Sequence, residues 1–205
     1  MTGEPPANQR HIRHMSENAT PTETDVPSTF DQFTDLQSLA DEVDADYQET
    51  PNDHEGADHC EADYAGRAIA GIVDEDGRIL LMVHEPSGAP LMPNVKVEPR
   101  EDWLPPALDE IEHLTGVAVE FAGTERIRRV DHRVEGSEEV FESTTHVVFR
   151  AVPAARPEAR PAPRLNPDAI ENDDVAPDDF TVDWFQDVPG DESGMVEADA
   201  RLFLE

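Results

Sequence analysis

Apolar residues recur at helical spacing in two parts of the chain. The segment 29–44 is predicted to form an amphipathic helix because its apolar residues repeat every three or four positions: Phe30, Phe33, Leu36, Leu39, Ala40 and Val43. A second helix is predicted from Leu104 to Leu114, with Pro105 and Pro106 tolerated only in its first turn. Asp102 is a candidate N-cap and Gly116 suits the helix end. Its predicted buried stripe consists of Leu104, Leu108, Ile111 and Thr115.

Runs of β-branched and apolar residues predict strands. A hairpin is expected for Ala68 to Val73 and Ile79 to Val83, because Asp76-Gly77 between them supplies the positive φ of a tight turn. Other strand candidates are GVAVEFAG, ERIRRVDHRV, STTHVVFRAVP and FTVDWF, and ESGMVEADARLFLE is typical of a closing amphipathic helix. Mixed strands with helices between and after them predict an α+β fold or a three-layer sandwich.

Polar stretches divide the chain into parts. Residues 1–28 carry almost no apolar side chains and are predicted to be a disordered leader, in which Met15 is an alternative start. Residues 45–64 are predicted to be a polar linker after the first helix. The main domain is then 65–205, with a long Pro- and Asp-rich loop at 155–179.

The charge of the chain is extreme. Its 205 residues carry a net charge of −32, and Lys96 is the only lysine. Such a chain repels nucleic acid phosphates, which argues against general nucleic-acid binding. Two interpretations remain open: partial disorder, or a protein built for high salt, where ions screen the repulsion. Depletion of lysine resembles the proteins of halophilic archaea.

The remaining composition points to a protein of the cytoplasm. The single cysteine, Cys60, excludes an internal disulfide and fits a reducing compartment. No apolar run approaches the ~20 residues that span a bilayer, and no signal peptide is evident, so no membrane partner is expected. The segment DHEGADHC, with His54 and His59, matches no zinc spacing and is more typical of a solvated linker. A homodimer is compatible with the sequence.

Residues that could bind a metal ion or take part in catalysis lie between Met92 and Val117. Glu98 and Glu101 lie in a loop before the second helix, and Glu110 and His113 lie on one helix face at a spacing of three. Carboxylates suit Mg²⁺, whereas imidazole suits Zn²⁺, Ni²⁺ or Fe²⁺ better, and Leu114 cannot ligate a metal. Alternation puts Arg126 and Arg128 on one strand face, where they either pair with acids or recognise a substrate phosphate or carboxylate.

These segments resemble the Nudix hydrolase family. The loop MPNVKVEPRE is similar to the family's LPGGKVEPGE, and DEIEHLTGV lies over its REUxEExGU, where U is a bulky apolar residue. The resemblance implies a Nudix-type α/β/α sandwich with a mixed sheet, preceded here by an extra N-terminal helix and a disordered leader. It further implies hydrolysis of nucleoside diphosphates linked to another group with Mg²⁺ or Mn²⁺, with Glu101 and Glu110 in catalysis and Glu98 and Glu110 as metal ligands. From the residues themselves, His113 is a further candidate metal ligand, and Lys96, Arg126 and Arg128 are the candidate substrate-binding residues.

The departures from the family pattern are concentrated in its metal-binding half. Asp109 replaces an arginine, His113 and Leu114 replace two glutamates, and Asn94, Val95 and Arg100 replace three loop glycines. Two hypotheses follow: a pyrophosphohydrolase with weak or altered activity, or an inactive domain that binds a nucleotide-like ligand or a protein. A third interpretation, a stable scaffold for something carried on the tails, has no ligand pattern in its favour.

Overall fold

The chain folds into two β-sheets and three α-helices, as seen in a computed structural model that describes residues 36–56, 64–169, 176–190 and 194–204. The helices are α1 (Leu36–Glu42), α2 (Leu104–Thr115) and α3 (Met195–Ala200). The strands are β1 (Asp46–His54), β2 (Gly66–Ile72), β3 (Ile79–His84), β4 (Ala89–Leu91), β5 (Asn94–Val97), β6 (Val119–Val134), β7 (Val140–Pro153) and β8 (Phe180–Phe185). The predicted α+β class is therefore confirmed.

The larger sheet is mixed. Its five strands lie in the order β1-β6-β7-β2-β5, with β1 parallel to β6, β2 parallel to β7, and the other neighbours antiparallel. The smaller sheet has the order β4-β3-β8 and is antiparallel throughout. Strand β5 is consequently an edge of the larger sheet, beside the loop that leads into α2.

Helices cover both faces of the larger sheet. One apolar cluster joins α1 and α2 to one face, through residues such as Leu39, Ile111, Ala68, Ile127 and Phe149. A second cluster joins the C-terminal segment to the other face, where Phe203 packs with Val148. A Cβ placed on Gly71 of β2 would lie 2.1 Å from the Phe203 ring, so that close approach requires glycine.

The second helix forms close to where the sequence predicts it. It spans Leu104–Thr115, carries prolines in its first turn and ends at Gly116 in the left-handed conformation at φ 70°. Asp102 is not the N-cap, because the cap position is Trp103, which makes no side-chain cap hydrogen bond. The buried face is also rotated from the predicted stripe: Ala107, Ile111, Leu114 and Thr115 are buried.

The predicted hairpin is only partly correct. The turn forms, with Gly77 at φ 73° and the Asp74 carboxylate accepting hydrogen bonds from the backbone N–H groups of Asp76 and Arg78. Beyond it the strands separate: β2 enters the larger sheet and β3 the smaller, leaving a single bridge from Val73 to Ile79. β2 is paired by β7 and β5 on its two sides, so it has no edge left for β3.

The prediction of a polar linker at 45–64 is wrong for its first half. Strand β1 lies there and pairs with β6 over nine residues, because backbone hydrogen bonds suffice for an edge strand that buries few side chains. Strands β4 and β5 were likewise not predicted. Within 155–179 the structure has short 3-10 helices at Pro157–Ala159, Pro167–Ala169 and Pro177–Asp179.

Some predictions fall outside the described residues. These are the leader 1–28, the first residues 29–35 of the predicted N-terminal helix, and His59 with Cys60. The described part of that helix, Leu36–Glu42, is helical as predicted. None of the helices in the described ranges is both long and apolar enough to cross a membrane.

Candidate ligand-binding cavity

A cavity of about 430 Å³ opens between residues 94–103 and the first half of α2. Four of the seven predicted site residues line it: Lys96, Glu98, Glu101 and Glu110. They meet there because β5 is an edge strand and the chain turns directly from it into the helix. The rest of the wall consists of Asn94, Val95, Val97, Asp102, Trp103, Pro106, Ala107, Leu114 and Ala169.

The loop before α2 is held by a tight turn from Glu98 to Glu101. The Glu98 backbone N–H donates to the Glu101 carboxylate at 3.0 Å, and the Glu101 N–H donates back to the Glu98 carbonyl at 3.1 Å. Arg100, where the family pattern has glycine, adopts φ 71° within this turn. A non-glycine residue in this left-handed conformation costs ~1–3 kcal/mol of conformational strain. The Glu101 carboxylate accordingly braces the turn, whereas the Glu110 carboxylate is exposed beside the cavity.

The cavity is strongly acidic. Four carboxylates and one ammonium group line it, a net formal charge of −3. Glu98 and Glu110 are exposed and Glu101 is half-buried. The Lys96 ammonium lies 5.8 Å from the centre of the Tyr64 ring, which is not part of the cavity lining. A bare anion would therefore be repelled from the interior of this cavity.

His113 lies in a different groove. It lines a cavity of about 560 Å³ with Asp109, Glu112 and the segment 164–167, and Glu110 is not part of that lining. The Asn166 side-chain amide lies 3.3 Å from the His113 ring nitrogens. The Asn166 backbone N–H donates to the Leu114 carbonyl at 2.9 Å, so this segment closes the end of α2. The helical spacing of three does not bring His113 to the cavity that Glu110 lines.

Leu114 packs in the core. It is 7 % exposed and belongs to the cluster formed by α1, α2 and the larger sheet. At the position where the Nudix pattern has a glutamate, Leu114 therefore extends the apolar face of α2. The cavity has one carboxylate from the helix, Glu110, and three from the loop before it, Glu98, Glu101 and Asp102.

These residues do not fit a preformed divalent-metal site. Their oxygen ligands have the chemistry that Mg²⁺ or Mn²⁺ prefers. Yet within 36–56, 64–169, 176–190 and 194–204, no three His, Cys, Asp or Glu side chains are grouped closely enough to hold a metal ion. The predicted ligand set of Glu98, Glu110 and His113 is not assembled, because His113 lies against Asn166 in the other groove.

Arg126 and Arg128 do not line the cavity and pair with acids instead. The Asp199 carboxylate accepts hydrogen bonds from Arg126 Nη1 at 2.7 Å, from Arg128 Nη1 at 2.9 Å and from Arg128 Nη2 at 2.5 Å. Arg126 Nε also donates to Asp46 at 2.9 Å. All three members of the Asp199 network are buried. Of the two interpretations of this pair, the geometry favours pairing over substrate recognition, and it anchors α3 to the sheet.

Sequence reasoning missed several residues of the cavity wall. Asp102, Trp103 and Pro106 follow the predicted loop directly, so their proximity could have been inferred from adjacency alone. Ala169 could not, because it comes from a segment more than fifty residues later that folds back over α2. Trp103 is 3 % exposed and also packs in the core cluster.

Comparisons with known proteins give loose likenesses only. No protein-family model matches the chain, and no curated protein matches it. Among solved structures, the chain is similar to the MutT protein of Methanosarcina mazei Go1, with 23 % identity, a TM-score of 0.33, and coverage of 52 % of this chain and 72 % of that one. It is also similar to a mutant form of the Bacillus subtilis pyrophosphohydrolase BsRppH, with 17 % identity, a TM-score of 0.32, and coverage of 58 % and 64 %. Superpositions this loose assign neither a substrate nor a site to this chain.

Proposed function

We propose that this protein is a Nudix-type domain that binds a nucleotide-derived small molecule, a nucleoside diphosphate linked to another group, in the cavity beside α2. The observation that carries the proposal is that Lys96, Glu98, Glu101 and Glu110 line one cavity. These are the residues that the Nudix-like loop and helix place in the family's site. The volume of about 430 Å³ lies within the ~300–1,000 Å³ usual for small-molecule pockets.

Hydrolysis in this cavity is weak or absent in our proposal. The family pattern offers three glutamates from the helix, and here α2 contributes only Glu110 to the cavity. Leu114 is in the core and His113 is in the neighbouring groove. Proximity of carboxylates without a preformed metal cluster supports ligand binding better than fast phosphoanhydride cleavage.

The charge of the cavity sets the conditions for binding. A phosphorylated ligand meets a net charge of −3 there, so cations from solution must accompany it. High salt supplies them and also screens the −32 charge of the whole chain. The proposal therefore includes a salt-rich cytoplasm as the working environment.

Slow pyrophosphohydrolase activity is the second candidate function. It is favoured by one observation, that Glu98 and Glu101 from the loop share the cavity with Glu110 from the helix. In this version Glu110 acts as general base toward water, and Glu101 holds the turn that shapes the cavity wall.

Binding and turnover can be separated in one experiment. The protein in molar KCl is mixed with nucleoside diphosphate derivatives, with and without Mg²⁺, Mn²⁺ or Zn²⁺, and both melting temperature and product are measured. We expect a ligand-dependent rise in melting temperature and slow or no product. Glu110→Gln should change both ligand affinity and any turnover, because it removes a cavity charge.

Glu112→Gln is the matched control. It removes the same charge from the same helix, at an exposed position outside the cavity lining. The proposal fails if no nucleotide derivative shifts the melting temperature, or if the two variants behave alike. Rapid turnover with a divalent metal would show that hydrolysis, and not ligand binding alone, is the main function.

A further inference from the structure

A row of basic side chains crosses the face of the larger sheet that is opposite α2. Four strands contribute one residue each at paired positions: Lys96 in β5, Arg67 in β2, His146 in β7 and Arg128 in β6. Directly paired residues on neighbouring strands point to the same face. Ala68 and Val147, one position along, belong to the α2 cluster, so the row faces the other way.

The two ends of this row differ in their counter-charges. Arg128 is neutralised by Asp199 and is fully buried. In the part of the chain that the structure describes, the ion pairs within 4.0 Å include neither Arg67 nor Lys96. Two like charges directly opposite each other on paired strands are destabilising. This pair of cations therefore stands out in a chain with 47 acidic residues.

The neighbours of Arg67 and Lys96 leave both cations positioned and charged. Arg67 Nη1 donates to the Asn94 side-chain carbonyl at 2.6 Å, which fixes the guanidinium without neutralising it. The Tyr64 ring lies against both, with its centre 5.6 Å from the guanidinium carbon and 5.8 Å from the ammonium. Because cations are attracted to the face of an aromatic ring, Tyr64 holds the two of them near each other at the sheet edge.

The histidine between Arg67 and Arg128 adds no positive charge to the row at neutral pH. Burial, together with the nearby Arg128 and Arg67 guanidinium groups, lowers the pKa of His146 to about 4. At neutral pH the imidazole between them is therefore uncharged, and can donate one hydrogen bond. The buried Arg128 Nε also lacks a hydrogen-bond acceptor among the described residues.

We propose that Arg67 and Lys96, held by Tyr64 and Asn94, form a binding site for a phosphate group on this face of the sheet. A guanidinium presents two parallel N–H donors to a phosphate, and the ammonium adds a second charge. A bound phosphate removes the repulsion between the two cations. The site adjoins the cavity, because Asn94 and Lys96 also line the cavity, whereas Arg67 and Tyr64 do not.

The phosphate can belong to free inorganic phosphate or to a nucleotide, and the test separates these sources. Calorimetry on the full chain at moderate KCl measures the binding of inorganic phosphate and of a nucleoside 5′-monophosphate. We expect Arg67→Gln and Lys96→Gln each to weaken phosphate binding by about tenfold or more, since a charge-assisted hydrogen bond is lost. Tighter binding of the nucleotide in the wild type, lost in Arg67→Gln, would identify a nucleotide as the source, whereas equal affinities would identify the free oxyanion.

Arg129→Gln is the matched control, because it removes the same charge from an exposed arginine one position along from Arg128 on the opposite sheet face. Lys96 is exposed, so Lys96→Gln folds even if Arg67→Gln does not. No binding of phosphate by the wild type, or equal losses in Arg67→Gln and Arg129→Gln, overturns the site. Nucleotide binding that survives Arg67→Gln overturns it without affecting the proposed cavity function. Phosphate binding by the wild type, together with no change in melting temperature on adding the nucleoside diphosphate derivatives, refutes the cavity function alone.

Discussion

At the scale of single residues, the most consequential contact is the one between Asp199 and two arginines. Arg126, Arg128 and Asp199 have side chains that are 9 %, 2 % and 3 % exposed, so solvent cannot replace a lost partner. Arg126 has a second acid in the half-exposed Asp46, whereas the acceptor of Arg128 besides Asp199, among the described residues, is the amide oxygen of Gln48 at 3.5 Å. Asp199 therefore compensates most of the buried positive charge at this point.

Replacement of Asp199 by asparagine should lower the free energy of unfolding by ~3–5 kcal/mol, because it leaves a buried guanidinium uncompensated. Urea unfolding at a fixed KCl concentration measures this change. Asp53→Asn is the control, since Asp53 pairs with Arg133 at the surface with 51 % of its side chain exposed. That variant should lose no more than ~1 kcal/mol. Equal losses in the two variants would show that Asp199 carries no special share of the stability.

At the scale of elements, α2 packs one face into the core but contributes a single carboxylate, Glu110, to the cavity. Ala107, Ile111, Leu114 and Thr115 are buried, and the Thr115 hydroxyl donates to the Ile111 carbonyl at 2.8 Å within the helix. Asn166, from a later segment, contacts both the helix end and His113. Of the two positions where the Nudix pattern has further glutamates, 113 is thus exposed beside this later segment, and 114 is buried in the core.

Restoring those two glutamates should therefore have unequal effects. Leu114→Glu buries a carboxylate in the apolar cluster and should destabilise the fold by ~2–5 kcal/mol. His113→Glu changes an exposed residue and should remain within ~0.5 kcal/mol of the wild type. Thermal unfolding at one pH and salt concentration compares them. A Leu114→Glu variant as stable as His113→Glu would mean that α2 can rotate to expose this position.

The elements also show what periodicity can and cannot predict. The span of α2, its end at Gly116, and strands β6, β7 and β8 follow from local spacing, turn residues and β-branched content. Strand β1 escaped prediction because DYQETPNDH lies at a sheet edge and has little apolar alternation. Strands β2 and β3 were expected to pair, but alternation identifies a strand without identifying its neighbour.

The candidate site likewise contains residues that the local sequence predicts and residues whose positions it does not predict. Lys96, Glu98, Glu101 and Glu110 were predicted together because a loop and the helix that follows it are necessarily adjacent. The separation of His113 depends on Asn166, 53 residues away, and the pairing of Arg128 depends on Asp199, 71 residues away. Contacts over such distances in sequence leave no local pattern in a single chain.

At the scale of the whole molecule, the dominant physical fact is the net charge of −32. Several acids of the fold are paired, such as Asp74 with Arg78 and Glu125 with Arg150, but 47 acidic residues greatly outnumber 15 basic ones. Exposed carboxylates such as Glu138 and Glu139 at the turn before β7 remain as a like-charged surface. Their mutual repulsion opposes the compact state more than the expanded one.

Stability should accordingly rise with salt, steeply at first and then less. The Debye length falls from ~30 Å at 0.01 M to ~3 Å at 1 M, so most of the surface repulsion is screened within that interval. Urea midpoints measured across KCl concentrations test this. A variant with Glu112→Gln, Glu138→Gln and Glu139→Gln carries three fewer exposed charges and should show a smaller rise with KCl than the wild type. Because these side chains are exposed, the two proteins should converge in stability at molar salt. Urea midpoints that do not change with KCl concentration would contradict charge repulsion as the source of the salt dependence. A variant whose salt dependence equals that of the wild type would contradict it as well.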